Sequence, residues 1–219
     1  MTIRAMSFYA TSVGKKTVMA VTGVLLVLFI VIHMLGNLQI FGGPQKMNAY
    51  AAFLHSIQGP LWVVRIVLGL AALAHVVTGM LLVLQGLRSR PSRYVRRQYQ
   101  AATASSRTML ITGPLLLAYI VYHLLHHTFG TILPGFDPAN VYGNVIRGFA
   151  NSLSSTIYLT AMLMLALHVK HGLWSMFQSV GLNAPRYDAS IRALGVLLML
   201  AVVGGYVSIV VTVMAGLVQ

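Results

Sequence analysis

The sequence predicts an all-α integral membrane protein with five transmembrane helices. Three observations carry this. Of the 219 residues, 58% are hydrophobic and only 8% are charged, whereas a soluble domain has about 25% charged residues. The mean hydropathy is +0.81. Five apolar segments are long enough to cross a bilayer, which takes roughly 20 residues of helix. A single domain spanning residues 1–219 is expected.

The first span is expected from Thr17 to Leu38, the second from Leu61 to Leu87 and the third from Thr108 to Phe129. The fourth runs from Ser154 to Phe177 and the fifth from Ile191 to Leu217. Between the first two, Gln45 to Gln58 places Met47, Tyr50, Leu54 and Ile57 on one helical face. That pattern fits a short helix lying in the membrane interface. Gly42-Gly43-Pro44 and Gly59-Pro60 bracket it with turn signals, and Leu133-Pro134-Gly135 opens the third connection in the same way.

Charge orients the spans. Fifteen Lys and Arg face two acids, Asp137 and Asp188. Twelve of the basic residues fall on one side: Arg4, Lys15, Lys16, Arg88, Arg90, Arg93, Arg96, Arg97, Arg107, Lys170, Arg186 and Arg192. Lys46, Arg65 and Arg147 fall on the other. The positive-inside rule then puts the N-terminus in the cytoplasm and the C-terminus outside, in the bacterial cytoplasmic membrane. The basic residues cluster at the ends of apolar segments, where topology requires them, so no nucleic-acid partner is expected. No cleavable signal peptide is expected, because the apolar run after Lys15 and Lys16 is too long for one. The chain has no cysteine, which excludes disulfides, thiolate ligation of haem, cysteine zinc sites and iron–sulfur clusters held by this chain.

Ionisable groups inside a bilayer are costly and usually functional. Here they are almost all histidine. His33 lies in the first span, His75 in the second, His123 in the third and His168 in the fourth, while the fifth has none. His33 and His123 each lie about 15 residues beyond the inner start of their span, so they share one height in the outer half. His75 and His168 each lie about 14 residues from the outer start of theirs, so they share a second height nearer the inner side. Two neutral imidazoles facing each other at one depth are what six-coordinate haem iron needs, and a four-helix bundle can enclose such a group. Two haem groups on four histidines are therefore expected. His126, His127 and His171 share helix faces with His123 or His168. Each is an alternative ligand, a haem-propionate contact or a quinone partner. Gly36, Gly79 and Gly172 follow three of the histidines. They either let a flat macrocycle approach the backbone or serve ordinary helix packing. Two further readings of the histidines stay open: a proton-relay transporter without haem, and a purely structural anchor.

At these residues the sequence resembles a known family over nearly its whole length. The stretches that carry the resemblance are Ser12-Val13-Gly14-Lys15-Lys16, Met19-Ala20-Val21-Thr22-Gly23 and His33-Met34-Leu35-Gly36-Asn37-Leu38-Gln39. Asn48-Ala49-Tyr50, Trp62-Val63-Val64-Arg65 and His168-Val169-Lys170-His171-Gly172-Leu173-Trp174-Ser175 complete the set. It looks like the cytochrome b membrane-anchor subunit of succinate dehydrogenases and fumarate reductases, in the single-chain, five-helix, di-haem form. The resemblance implies two haem b groups, with His33 and His123 as the outer axial pair and His75 and His168 as the inner pair. It also implies a flavoprotein carrying FAD and an iron–sulfur subunit bound at the cytoplasmic face, with membrane quinone as substrate. On this reading the subunit catalyses nothing alone. A di-haem cytochrome b of another membrane dehydrogenase (a hydrogenase, formate dehydrogenase or nitrate reductase) is the alternative. One departure stands out. Some di-haem members carry a membrane glutamate tied to quinone or proton chemistry, and this chain has no glutamate at all. Ser105, Ser106, Arg107 and His171, near the inner side, are candidate contacts for propionates or a quinone carbonyl.

Overall fold

The computed structural model describes residues 8–88, 104–179, 181 and 184–218, with the backbone alone at 104–107. Arg4, Arg90, Arg93, Arg96 and Arg97, counted in the topology argument, lie outside the described residues, as do the side chains of Ser105, Ser106 and Arg107. Seven α-helices follow one another: α1 (Ser12–Asn37), α2 (Pro44–Ser56), α3 (Gln58–Arg88), α4 (Ala104–His123), α5 (Val141–Ala150), α6 (Ser152–Ser179) and α7 (Asp188–Met214). No strand occurs among the described residues. Five helical stretches are long and apolar enough to cross a membrane, built on α1, α3, α4, α6 and α7. The chain is a multi-pass helical membrane protein.

The span boundaries differ from the expected ones where polar residues cap or extend a helix. Helix α1 starts at Ser12 rather than Thr17, because the Thr11 side chain accepts a hydrogen bond from the Gly14 N–H at 2.9 Å and satisfies one orphan donor of the first turn. Lys15 and Lys16 therefore lie inside the helix. The interfacial segment is α2, opened by Pro44 at its first turn after Gly43 at φ 86°. Met47 is buried and Tyr50 and Leu54 are half-buried, but Ile57 lies past the helix end and is exposed.

The third connection holds more structure than its turn signals suggest. Helix α5 is capped by Asn140, whose side chain accepts from the Gly143 N–H at 2.9 Å. Its face of Tyr142, Val145 and Phe149 packs with Ile40 and Met47 from the first connection, and with Tyr158, Ile209 and Val213 of the spans. Asn48 on α2 ties the two outer elements together. It donates to Asn140 Oδ1 at 3.2 Å and accepts from the Tyr142 N–H at 2.9 Å. The end of the bundle nearest His123 and His127 is thus closed by a packed lid of α2 and α5.

Four spans form a bundle whose order around the ring is α3, α1, α6, α4. Helix α1 packs on α3 and α6, α4 packs on α6, and α7 lies against both α6 and α1. The diagonals of this square are α1–α4 and α3–α6. Outward faces are apolar: Leu25, Leu28, Ile32 and Leu35 form one exposed stripe along α1. Such a stripe suits acyl chains rather than water.

Candidate functional site: paired histidines across the bundle diagonals

The four histidines predicted as site residues come together in two pairs, and each pair crosses one diagonal. His33 of α1 and His123 of α4 have ring centroids 5.8 Å apart with their planes at 81°. His75 of α3 and His168 of α6 have centroids 6.3 Å apart with planes at 56°. The rings matched by depth are neighbours in space.

Hydroxyls on other helices hold three of these rings. Thr22 of α1 lies 3.1 Å from Nδ1 of His75. Its own hydroxyl hydrogen goes to the Val18 carbonyl at 2.7 Å, so it accepts from the imidazole N–H. His75 then carries its proton on Nδ1 and presents the Nε2 lone pair elsewhere. Thr112 of α4 lies 3.4 Å from Nδ1 of His168. Tyr158 of α6 lies 3.1 Å from Nδ1 of His123. His33 is held differently. Phe29 stacks on its ring at 5.2 Å and 13°, and Asn37 donates to its carbonyl at 2.7 Å while lying 3.4 Å from both ring nitrogens.

Helices α1 and α4 carry the same spacing. Thr22-Gly23 precedes His33 and Thr112-Gly113 precedes His123, by eleven residues from threonine to histidine in both. That puts the two heights about 16 Å apart along each helix. The glycines lie beside the second pair: a Cβ on Gly23 would make ordinary contact with Cε1 of His75 at 3.5 Å, and one on Gly113 with Cε1 of His168 at 4.0 Å.

The glycines that follow the histidines in sequence do other work. Gly36 faces the Tyr50 ring, Gly79 faces the Met19 side chain, and a Cβ at Gly172 would meet nothing within 4 Å. For Gly36 and Gly79 this is ordinary close packing.

Further histidines crowd the outer pair. Straight after His123 the helix widens into a π turn, Leu124–Thr128, a feature that recurs at functional sites. His126 is 2% exposed and its Nδ1 lies 3.2 Å from the Tyr158 hydroxyl. Its ring is 4.3 Å from that of His127. Both ring nitrogens of His127 are buried without a hydrogen-bond partner among the described residues. Gly148 of α5 makes room for both rings, since a Cβ there would lie 2.7 Å from His127 and 3.0 Å from His126. His171 is half-buried at the inner height and His55 is exposed on α2. Thr22, Thr112 and Tyr158 are the ring partners that sequence reasoning did not single out. The repeated Thr-Gly before a histidine was the signal that could have found the first two.

A helical membrane protein with five spans and paired intramembrane histidines is the class that fold and site define. The sequence model of the succinate dehydrogenase/fumarate reductase transmembrane subunit family matches residues 86–207, and the chain belongs to that family. The matched stretch contains His123 and His168, together with Thr112 and Tyr158. No curated protein and no solved structure matches the chain.

Proposed function

We propose that this chain is the di-haem cytochrome b anchor of a succinate:quinone oxidoreductase. It carries electrons between an iron–sulfur partner and membrane quinone, and residues 1–219 act as one domain. The observation that carries the reading is the pair of imidazole separations. With about 2 Å from an imidazole nitrogen to a metal and about 1 Å from that nitrogen to the ring centre, two trans ligands have centroids roughly 6 Å apart. The pairs stand at 5.8 and 6.3 Å. Two imidazoles are too few to hold a bare metal ion, which takes three or four protein ligands. A macrocycle that brings its own nitrogens needs only two. The donor set fits haem.

When bound, haem supplies one-electron chemistry through its iron. The protein's own residues do the rest. His75 and His168 would hold the inner haem and His33 and His123 the outer one, each through Nε2. Thr22, Thr112 and Tyr158 accept from the Nδ1–H groups, which fixes the tautomer and raises the donor strength of the ligand. His127 would give an N–H to a haem carboxylate, satisfying one of its two ring nitrogens, which have no partner among the described residues. The apolar side chains around the sites exclude water, and the α2–α5 lid closes the outer end. With the N-terminus in the cytoplasm of a bacterial inner membrane, the inner pair faces the flavoprotein and iron–sulfur subunits. FAD and the clusters belong to those partners.

A dithionite-reduced minus oxidised spectrum of the purified chain, with a pyridine haemochrome count, tests this. Two haems b per chain are expected. A folded, colourless protein would overturn it. Covalent FAD in the complex that copurifies separates a succinate or fumarate partner from another dehydrogenase.

A further inference from the structure

Tyr158 of α6 stands between His123 at the end of α4 and His126 in the π turn that follows it. Its hydroxyl is 3.1 Å from Nδ1 of His123 and 3.2 Å from Nδ1 of His126. A phenol has one hydrogen, so it donates to one of the two and accepts from the other. The proposed ligand role settles which. If His123 binds iron through Nε2, its Nδ1 keeps the hydrogen and donates it to the phenol oxygen. The Tyr158 O–H is then left to donate to Nδ1 of His126, which carries its own hydrogen on Nε2. The chain of bonds has one direction: His123 to Tyr158 to His126.

The surroundings hold this arrangement in place. The Tyr158 ring meets Tyr119, Tyr122 and Phe149 edge-on at 5.2, 5.9 and 4.9 Å. Tyr122 stacks on His126 at 5.3 Å and is itself fixed by a hydrogen bond to Ser154 at 3.0 Å. The absent side chain of Gly148 leaves His126 its place. Tyr158 is 4% exposed, so bulk water is poorly placed to substitute for either bond.

We propose that Tyr158 and His126 are positioning residues for the outer haem, setting the orientation and donor strength of His123 through this directed pair of hydrogen bonds. The inference rests on His123 being an axial ligand. A phenol oxygen that accepts from the ligand N–H makes the imidazole a stronger donor and favours oxidised iron. His126 strengthens that acceptor by taking the phenol hydrogen, as bonds in a chain polarise one another. At the inner pair the hydroxyl that meets His75 passes its hydrogen to the Val18 carbonyl of its own helix rather than to a second histidine.

The test is redox titration of the haem-loaded chain, following both haems optically. Tyr158→Phe keeps the ring and removes both bonds. It is expected to raise the midpoint potential of the outer haem and leave the inner one unchanged. His126→Leu is expected to shift the outer potential in the same direction by less. His126→Asn, whose amide oxygen can accept where Nδ1 did, is expected to restore it. If Tyr158→Phe costs the outer haem altogether, the two His126 variants decide. Two retained haems with unaltered potentials, or equal shifts of both haems, would overturn the proposal. His123→Ala tests the ligand assignment separately: a variant that keeps both haems removes the ligand reading itself, whatever the potentials do.

Discussion

Thr22 and His75 meet across the α1–α3 contact with the hydroxyl 3.1 Å from Nδ1, and the same threonine is spent as a donor on its own helix at Val18. The direction of the contact follows from that second bond. A threonine whose hydrogen is engaged can only accept, so the imidazole is the donor at Nδ1. Thr112 repeats the contact with His168 at 3.4 Å.

Thr22→Val preserves shape and deletes the acceptor. A lost hydrogen bond of this kind costs about 1 kcal/mol, so the protein should fold and, on the proposed di-haem reading, keep both haems. The inner haem should become easier to reduce, because His75 loses its partner. Redox titration checks this, and an inner potential that does not move would show that Thr22 serves α1 alone.

Replacing the four histidines singly by alanine separates the pairs. His75→Ala and His168→Ala should each remove the inner haem, and His33→Ala and His123→Ala the outer one. One haem per chain is expected by pyridine haemochrome in every case. Should His126→Ala or His127→Ala remove a haem while His123→Ala does not, the outer ligand lies on the π turn instead.

Gly148→Ala pushes a methyl group against two imidazoles, at 2.7 and 3.0 Å. Overpacking of this kind costs about 1–3 kcal/mol. The strain falls on His126 and His127, so the outer haem should be bound less tightly while the inner one stays. Thermal release of each haem in detergent distinguishes the two.

Asn48→Ala breaks the tie between α2 and α5. Two hydrogen bonds go, one of them to a backbone N–H at the start of α5. The expected loss is about 1–2 kcal/mol, read as a lower unfolding temperature with the haem count unchanged in the folded protein.

The spans and the histidine pairs were legible in the sequence for a physical reason. A run of some 20 apolar residues has few uses besides crossing a bilayer, and helical rise converts residue number into depth. So His33 could be matched with His123, and His75 with His168, without any packing information. Azimuth is another matter. Thr22 and Thr112 look like ordinary helix residues until a neighbouring helix brings a ring to them. Gly36 and Gly79 stand near histidines in the chain but face Tyr50 and Met19 in space, while Gly23 and Gly113, far from His75 and His168 in sequence, lie against them. Helix α5 escaped because its ten residues follow a stretch dominated by the turn signals Pro134-Gly135 and Pro138. The π turn at Leu124–Thr128 has no compositional mark at all.

That wide turn has a consequence for the length of the chain rather than its spelling. A π turn closes its hydrogen bonds one residue further on than an α turn, so it resets the rotational phase of whatever follows. Deleting Leu124 or Leu125 would turn the two histidines that follow by about 100°, aiming His126 and His127 away from Tyr158 with every side chain of the cluster still encoded. Insertions and deletions there should therefore be as damaging as losing a histidine.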